Sequence, residues 1–228
     1  MVISHDDNDH AGGLSTLAQA FPAASWWASF DPGARHAGPV QTCAAGVSGE
    51  WDGVSFQFLH PPTPDWAPPR QGGDHARSCG LLVGRGRASA LLTGDIRSEE
   101  EAVLLDAYPT LKVGLLVAAH HGSQTSTSER WLKAVKPEWV AIQAGWRNRY
   151  GHPHAAVVRR LDAENLRWVN TATCGAIAWS SAQPSQVICE REKNRRYWRA
   201  NDADGRGNSR ENAGGNDSRE KGDLAMID

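Results

Sequence analysis

Four side chains able to bind metal ions stand close together near the start of the chain. They are His5, Asp7, Asp9 and His10, and Gly12-Gly13 follows them. Alternate residues of an extended chain share a face, so an extended loop would turn His5, Asp7 and Asp9 to one side. Imidazoles with carboxylates suit zinc, manganese or iron, and the hard carboxylates favour manganese. The alternative is an acidic surface loop, but the short apolar strand before the run and the glycines after it favour a metal site.

Two later segments place further candidate ligands directly after predicted strands. Asp95 follows Leu91-Leu92-Thr93-Gly94. A carboxylate there could bridge two cations, although a turn with Asp as its turn residue explains it as well. His120 and His121 follow the apolar run 113–119. Adjacent imidazoles of an extended chain point to opposite sides, so we expect one of them to bind metal and the other to orient substrate or hold the loop.

A fourth segment combines histidines with arginines. His152 and His154 follow Arg147 and Arg149 in one predicted loop. Guanidinium groups recognise phosphate oxygens, and an imidazole can act as an acid or base near neutral pH. For His154, a capped helix start is an equal alternative, whereas His152 is expected to take part in the chemistry.

A mixed set of strands and helices must position these segments. We predict strands over 54–59, 79–83, 88–93, 113–119, 139–144, 167–170 and 176–179. The second and third of these strands are expected to form a hairpin. We predict helices over 14–20, 98–107, 126–135 and 155–164. Ser98 would cap the second helix with Glu101 at the capping-box position, and 31–50 would form a loop. This order indicates an α+β or layered α/β/α plan.

Length, charge and apolar content limit the kinds of protein that this chain can be. The chain has 228 residues and a formal net charge of −2, so a polyanionic substrate would need a local basic patch or bound cations. We find no membrane segment and expect no signal peptide, because no apolar run is long enough and the N-terminus opens on acids and histidines. Residues 1–190 are expected to form one hydrolase domain. Residues 191–228, where apolar residues almost vanish, are expected to form a disordered tail.

The spacing of the cysteines indicates their redox state and, through it, the cellular compartment. Cys43, Cys79, Cys174 and Cys189 are scattered and form no C-x-x-C pair. This pattern is not typical of a zinc knuckle or a redox motif. We therefore expect reduced thiols and, for this chain alone, a cytoplasmic location.

Together the clusters resemble the metallo-β-lactamase superfamily, whose signature is His-x-His-x-Asp-His before Gly-Gly, a later Thr-Gly-Asp and a later His-Gly. Within it, the chain is similar to the C-terminal domain of the ComEC family of DNA-uptake competence proteins. The matching segments are 4–13, 51–54, 78–79, 92–96, 120–126 and 148–153. The last of them, Asn-Arg-Tyr-Gly-His-Pro, points to the competence branch. The resemblance covers the chain to about residue 200 and implies an α+β fold, the αββα metallo-β-lactamase sandwich.

The resemblance implies a centre with two divalent cations, Mn²⁺ or Zn²⁺. His5 and Asp7 would bind the first cation, with Asp7 standing where many members of the superfamily have His. Asp9 and His10 would bind the second cation. Asp95 would bridge the two.

The remaining predicted ligands depart from the family pattern or leave a choice between two residues. One of His120 and His121, with His121 favoured, would complete the second set. One further ligand is expected between the 54–59 strand and Thr93, and His75 takes that place, although Asn is usual there in the competence branch. The superfamily also has several strands before the first His/Asp segment, whereas only Val2-Ile3 precede it here. The resemblance therefore implies an N-terminally truncated sandwich, which would be destabilised because the strand that carries the segment has lost neighbours.

The implied activity is that of a metal-dependent hydrolase, a DNA phosphodiesterase or nuclease linked to DNA uptake in natural transformation. Single-stranded DNA would be the substrate. Asp9 would orient the attacking water, and His152 or His120 would protonate the leaving oxygen. The residues expected to bind the substrate are Arg147, Arg149 and Ser123.

Two alternatives remain open. The chain could be another hydrolase of this fold that acts on an ester, lactone or thioester, although Arg147 and Arg149 favour phosphate. It could also be a non-catalytic truncated remnant. Full-length members of the family lie in the bacterial inner membrane, and their membrane channel would be a partner of this domain if the chain is part of a longer protein.

Overall fold

A small parallel sheet at the start of the chain carries the first His/Asp segment. The computed structural model describes residues 1–36, 38–66 and 73–194. The strands of this sheet are β1 (Val2–Ile3), β2 (Trp26–Ala28) and β3 (Val40–Thr42), in that order. Ile3, Leu14 and Trp26 are buried together, so the helix that follows the segment packs on the sheet. β1 has β2 as its neighbour on one side, and on the other the carbonyl of Ser4 accepts the N–H of Cys79.

A seven-stranded mixed sheet forms the larger part of the fold. Its strands are β4 (Ser48–Trp51), β5 (Val54–His60), β6 (Gly80–Val83), β7 (Ala90–Leu92), β8 (Leu115–Val117), β9 (Trp139–Ile142) and β10 (Arg167–Asn170). Neighbours from β4 to β7 are antiparallel, and neighbours from β7 to β10 are parallel. A separate antiparallel pair is formed by β11 (Ile177–Trp179) and β12 (Val187–Cys189). Because β7, β8 and β9 run in parallel, the residues that follow them leave from the same edge of the sheet.

Helices flank the sheets. They are α1 (Asn8–Ala11), α2 (Leu14–Ala20), α3 (Ser98–Ala107), α4 (Glu129–Val135), α5 (Ala155–Ala163), α6 (Thr171–Cys174) and α7 (Glu190–Lys193). Successive residues of a strand face opposite sides, and Leu116 packs in the cluster with α3, α4 and α5 while Leu115 packs in the cluster with Cys174 and Cys189. The large sheet is thus covered on both faces. Among the described residues, no helix is both long and apolar enough to cross a bilayer.

The predicted α+β class and most predicted elements are confirmed. The hairpin is β6–β7, and the helix over 14–20 has the predicted bounds. The prediction of a loop over 31–50 is wrong, because β3 lies there and pairs with β2, and most of β4 lies there and forms a hairpin with β5. The predicted cap of α3 is wrong by one residue. Glu100 accepts the N–H of Arg97, whereas Glu101 is buried and accepts the N–H groups of Thr127 and Ser128.

The predicted disordered tail over 191–228 falls mostly outside the described residues. Its first residues, up to Lys193, belong to α7. The N-terminal truncation of the sandwich that the resemblance implies stays a prediction.

The expectation of reduced thiols is wrong. Cys43 is bonded to Cys79 and Cys174 to Cys189. The sequence could not show this because each pair is brought together by strands that meet only in the fold. Cys43 follows β3 and Cys79 precedes β6, so their disulfide joins the small sheet to the large one. Disulfides are rare in the cytosol, so the expected cytoplasmic location loses its basis.

We predict that removing Cys43–Cys79 destabilises the chain more than removing Cys174–Cys189. The bonded residues are 36 positions apart in the first pair and 15 in the second. Loop-closure entropy gives losses of about 4 and about 3 kcal/mol respectively. Chemical denaturation of the Cys43→Ala/Cys79→Ala and Cys174→Ala/Cys189→Ala variants measures both. A larger loss in the second variant contradicts the prediction.

Candidate metal centre

The first His/Asp segment bends into a helical turn directly after β1. Asp7 is extended, with φ −83° and ψ 152°, and α1 begins at the next residue. The expected extended loop is therefore wrong for Asp9 and His10, which lie on α1. The turn still brings His10 next to His5, because His10 Nδ1 and His5 Nδ1 each lie 3.0 Å from the hydroxyl of Ser4.

Six predicted ligands form two sets of three. His5, Asp7 and His75 offer ligand atoms that all lie within 4.8 Å of one another. The same limit holds for Asp9, His10 and His121. Each set has the size and donor types of a divalent-cation site built from imidazole and carboxylate.

Asp95 stands between the two sets. It follows β7 and is 3% exposed. Its Oδ1 lies 3.4 Å from His10 Nε2, and its Oδ2 lies 3.8 Å from His5 Nε2 and 3.7 Å from His121 Nε2. One carboxylate therefore reaches both sets, which is the geometry that a bridging ligand requires.

The imidazoles of the two sets are oriented by contacts at their outer nitrogens. His121 Nδ1 lies 2.9 Å from the carbonyl of Gln143. A carbonyl only accepts, so Nδ1 carries the proton and Nε2 keeps its lone pair. His121 Nε2 and His10 Nε2 face each other at 3.3 Å, a spacing that suits two nitrogens sharing one cation. Such contacts at the second nitrogen are typical of metal-binding histidines.

His5 carries the strongest signal for a metal ion. Its side chain is fully buried, and its Nε2 has no hydrogen-bond partner within the described residues. Burial lowers the pKa of His5, which favours the neutral imidazole that a metal ion requires. Asp9 remains ionised: burial alone would raise its pKa, but its own backbone N–H and the nearby His10 and His121 lower it overall. Neutral imidazoles beside ionised carboxylates fit a cation site.

His75 and His120 also lie close to the carboxylate of Asp95. His75 lies on the short 3₁₀ turn Asp74–Arg77, with Nε2 3.4 Å from Asp7 Oδ2. The ring of His120 stacks on it with centroids 4.6 Å apart, and His120 Nε2 is 3.8 Å from Asp95 Oδ2. Burial lowers the pKa of His120 to about 4. His75, Asp95 and His120 also offer ligand atoms within 4.8 Å of one another, so His75 as a ligand and His120 as a residue outside the ligand sets both stay predictions.

The extended chain assumed for His120 and His121 is wrong, whereas the expectation that only one of them binds a metal stays a prediction. Both adopt left-handed backbone conformations, with φ 50° and φ 55°, instead of the extended chain assumed from sequence. This conformation is costly for residues other than Gly and is concentrated at functional sites. It turns both imidazoles towards Asp95.

The remaining predicted residues lie around this centre. His152 is near it, with its ring centroid 6.1 Å from that of His120. His154 Nδ1 accepts the N–H of Ala156 at the start of α5, so the helix-cap alternative describes it. Ser123 is buried, and its hydroxyl contacts Thr125 in the same turn, so its predicted substrate contact stays a prediction.

Ser78 is a residue that sequence reasoning missed. Its hydroxyl accepts the N–H of Asp95 at 3.0 Å and lies 3.2 Å from His5 Nδ1. Gly94 has φ +55°, and an added Cβ there would come within 2.8 Å of the Ser78 side chain. The carbonyl of Ser78 accepts the Nδ1–H of His60, whose pKa burial lowers to about 4. Ser78 thus joins a ligand of one set to the bridging carboxylate, and only its position beside Cys79 gave a signal.

With this geometry in place, the comparisons with known proteins define the family. The family model described as the metallo-beta-lactamase superfamily matches residues 1–142. The chain belongs to the metallo-beta-lactamase superfamily, which confirms the fold expected from the resemblance.

The relatives are proteins of genetic competence and recombination. The chain is 36% identical over 179 residues to recombination protein 2 of Haemophilus influenzae and 36% identical over 181 residues to competence protein ComA of Neisseria gonorrhoeae. Each match covers 78% of this chain, but only 21% and 24% of the relatives. ComE operon protein 3 of Bacillus subtilis is 33% identical over 126 residues, 55% of this chain and 16% of the relative. The chain thus spans about a quarter or less of these relatives, and the resemblance to the competence branch is confirmed.

We predict that Ser78→Ala weakens the binding of Mn²⁺ by about 10- to 100-fold, the usual effect of removing a group that orients a metal ligand. Isothermal titration calorimetry measures the affinity. Ser89→Ala is the matched control, because Ser89 is also buried and its hydroxyl donates to a backbone carbonyl elsewhere. Equal affinities in folded Ser78→Ala and unsubstituted protein would refute the role of Ser78.

Proposed function

We propose that this chain is a metal-dependent hydrolase domain that cleaves phosphodiester bonds of single-stranded DNA during DNA uptake. The observation that carries the proposal is the pair of three-ligand sets on either side of Asp95. Two cations held close together by a shared carboxylate are typical of phosphodiester hydrolysis. The names of the relatives, a competence protein among them, support the context of DNA uptake.

The donor set supports Mn²⁺ or Zn²⁺ as the cations. His5, Asp7 and His75 would hold the first, Asp9, His10 and His121 the second, and Asp95 would contact both. Imidazole suits zinc, and the carboxylate share of each set also suits manganese. When bound, the cations would lower the pKa of a water molecule to about 7 and neutralise charge on the phosphate.

The side chains around the centre divide the remaining tasks. Asp9 is 64% exposed at the mouth of the centre, so its free oxygen could orient the attacking water. His120 and His152 lie side by side, and burial lowers the pKa of both, so each is a neutral imidazole with one N–H near pH 7. Such an N–H could donate a hydrogen bond to the leaving oxygen, whereas the proton transfer expected of His152 or His120 would require the imidazolium form, which their lowered pKa values disfavour. Arg147 and Arg149 would contact the strand's phosphates.

The arginines favour phosphate over the ester, lactone or thioester alternative. They lie in the loop that carries His152, whose ring is next to that of His120. In the longer relatives, the remaining chain would include the membrane channel, and we propose that channel as the partner that delivers the strand. The two ligand sets favour a hydrolase over a non-catalytic remnant.

We predict that an Asp9→Asn/Asp95→Asn variant loses Mn²⁺-dependent cleavage of 5′-labelled single-stranded DNA by at least about a hundredfold, because each substitution removes a charged ligand. Gel electrophoresis of the products measures cleavage. The control is Asp106→Asn, which removes an exposed carboxylate paired with Arg130 outside the centre. Full cleavage by the double variant would refute the proposed function, and cleavage of a lactone or thioester but not of DNA would favour the alternative hydrolase.

A further inference from the structure

The loop between β9 and α5 presents two large aromatic side chains to solvent. Trp146 is 52% exposed and Tyr150 is 64% exposed. Both lie within residues 145–152, which we call the aromatic loop. Exposed aromatic rings close to a reaction centre are typical of a surface that binds a ligand.

The aromatic loop is held in a fixed shape. The side-chain amide of Asn148 donates to the carbonyls of Gly145 and His152, at 2.9 and 2.6 Å. Its Oδ1 accepts the N–H of His152 at 2.9 Å. Three hydrogen bonds from one side chain close the loop, so the rings are presented on a preorganised support and little ordering entropy would be lost on binding.

The guanidinium group of an arginine lies over each of the two exposed rings. Arg147 Cζ lies 5.8 Å from the centroid of Trp146, and Arg149 Cζ lies 4.8 Å from the centroid of Tyr150. At these distances, a guanidinium is attracted to the ring face and stays beside it. The loop therefore presents exposed aromatic rings, each with a guanidinium against part of one face, and this combination of rings and positive charge binds a chain of bases linked by phosphates.

The aromatic loop leads to the metal centre. Tyr150 lies nearly parallel to His152, at 18° and 5.9 Å between centroids. His152 lies 6.1 Å from His120, whose Nε2 is 3.8 Å from Asp95. A stacked strand advances about 3.4 Å per nucleotide, so a base at Tyr150 would stand a few nucleotides from a phosphate at Asp95.

We propose that Trp146 and Tyr150 stack on the bases of single-stranded nucleic acid and so select unpaired strands for the metal centre. The inference rests on the proposed function, because it takes a nucleic acid as the substrate of that centre. Bases of a duplex are stacked on one another and offer no free faces to a protein ring. The two side chains would therefore discriminate between single and double strands without reading sequence.

The test is fluorescence anisotropy with a phosphorothioate-linked oligothymidylate in the presence of Mn²⁺, and gel electrophoresis of the recovered probe checks that it is intact. Tyr150→Ala and Trp146→Ala are each expected to weaken binding by roughly 5- to 100-fold, the range for loss of one stacked base. Tyr150→Phe should retain the affinity because it keeps the ring. The matched control is Trp51→Ala, since Trp51 is 72% exposed on β4 at the opposite edge of the large sheet.

A second probe separates stacking from phosphate contact. An abasic strand of the same length and linkage has the phosphates but no bases, so the alanine variants should bind it as the unsubstituted protein does. Equal binding of the oligothymidylate by all variants would overturn the inference. So would an equal loss for both probes, or a loss confined to binding of anionic phospholipid vesicles, which would assign the loop to a membrane surface.

The two proposals fail differently. If the chain cleaves DNA in the earlier assay but Tyr150→Ala binds the oligothymidylate normally, the inference fails and the proposed function stands. If the alanine variants lose binding to the oligothymidylate and not to the abasic strand, while no DNA is cleaved, the stacking surface stands and the proposed function fails.

Discussion

The structure depends on one buried carboxylate that is crowded by imidazoles. Asp95 is 3% exposed, and side-chain nitrogens of five histidines lie within 3.8 Å of its oxygens. A buried carboxylate is costly to keep out of water, and so is a fully buried His5 whose Nε2 finds no hydrogen-bond partner in the described part of the chain. Cations between these groups would satisfy both, since they take the imidazole lone pairs and the carboxylate charge together. The remaining architecture holds these groups in place.

Three segments from two sheets meet at this point, and the contacts between them are specific. The hydroxyl of Ser78 accepts a hydrogen bond from the N–H of Asp95 and contacts His5. The carbonyl of Ser4, next to His5, accepts the N–H of Cys79. The Cys43–Cys79 disulfide lies at the same junction, so a covalent bond backs the hydrogen bonds that join the small sheet to the large one. Although β1 has only two residues, these contacts hold His5, which follows it closely, in a fixed position.

The sequence predicted the parts of the site that follow from local order. Asp95 and His121 each come directly after an apolar strand, and parallel neighbours end at the same edge, so their convergence followed from the pattern and the family signature. The left-handed conformation of His120 and His121 was not predictable, because it arises from the packing of the loop and not from its composition. Ser78, His60 and the disulfides were missed for a related reason: each contact joins residues whose closeness is decided by how the two sheets dock.

The central claim is that two cations share Asp95. The most direct measurement is a crystal structure with Mn²⁺ and anomalous scattering at the manganese edge. Two anomalous peaks about 3.5–4 Å apart are expected. One should be contacted by His5, Asp7 and His75, the other by Asp9, His10 and His121, and Asp95 should reach both. Peaks elsewhere, or a fully occupied Mn²⁺ structure in which Asp95 touches neither ion, would contradict the account.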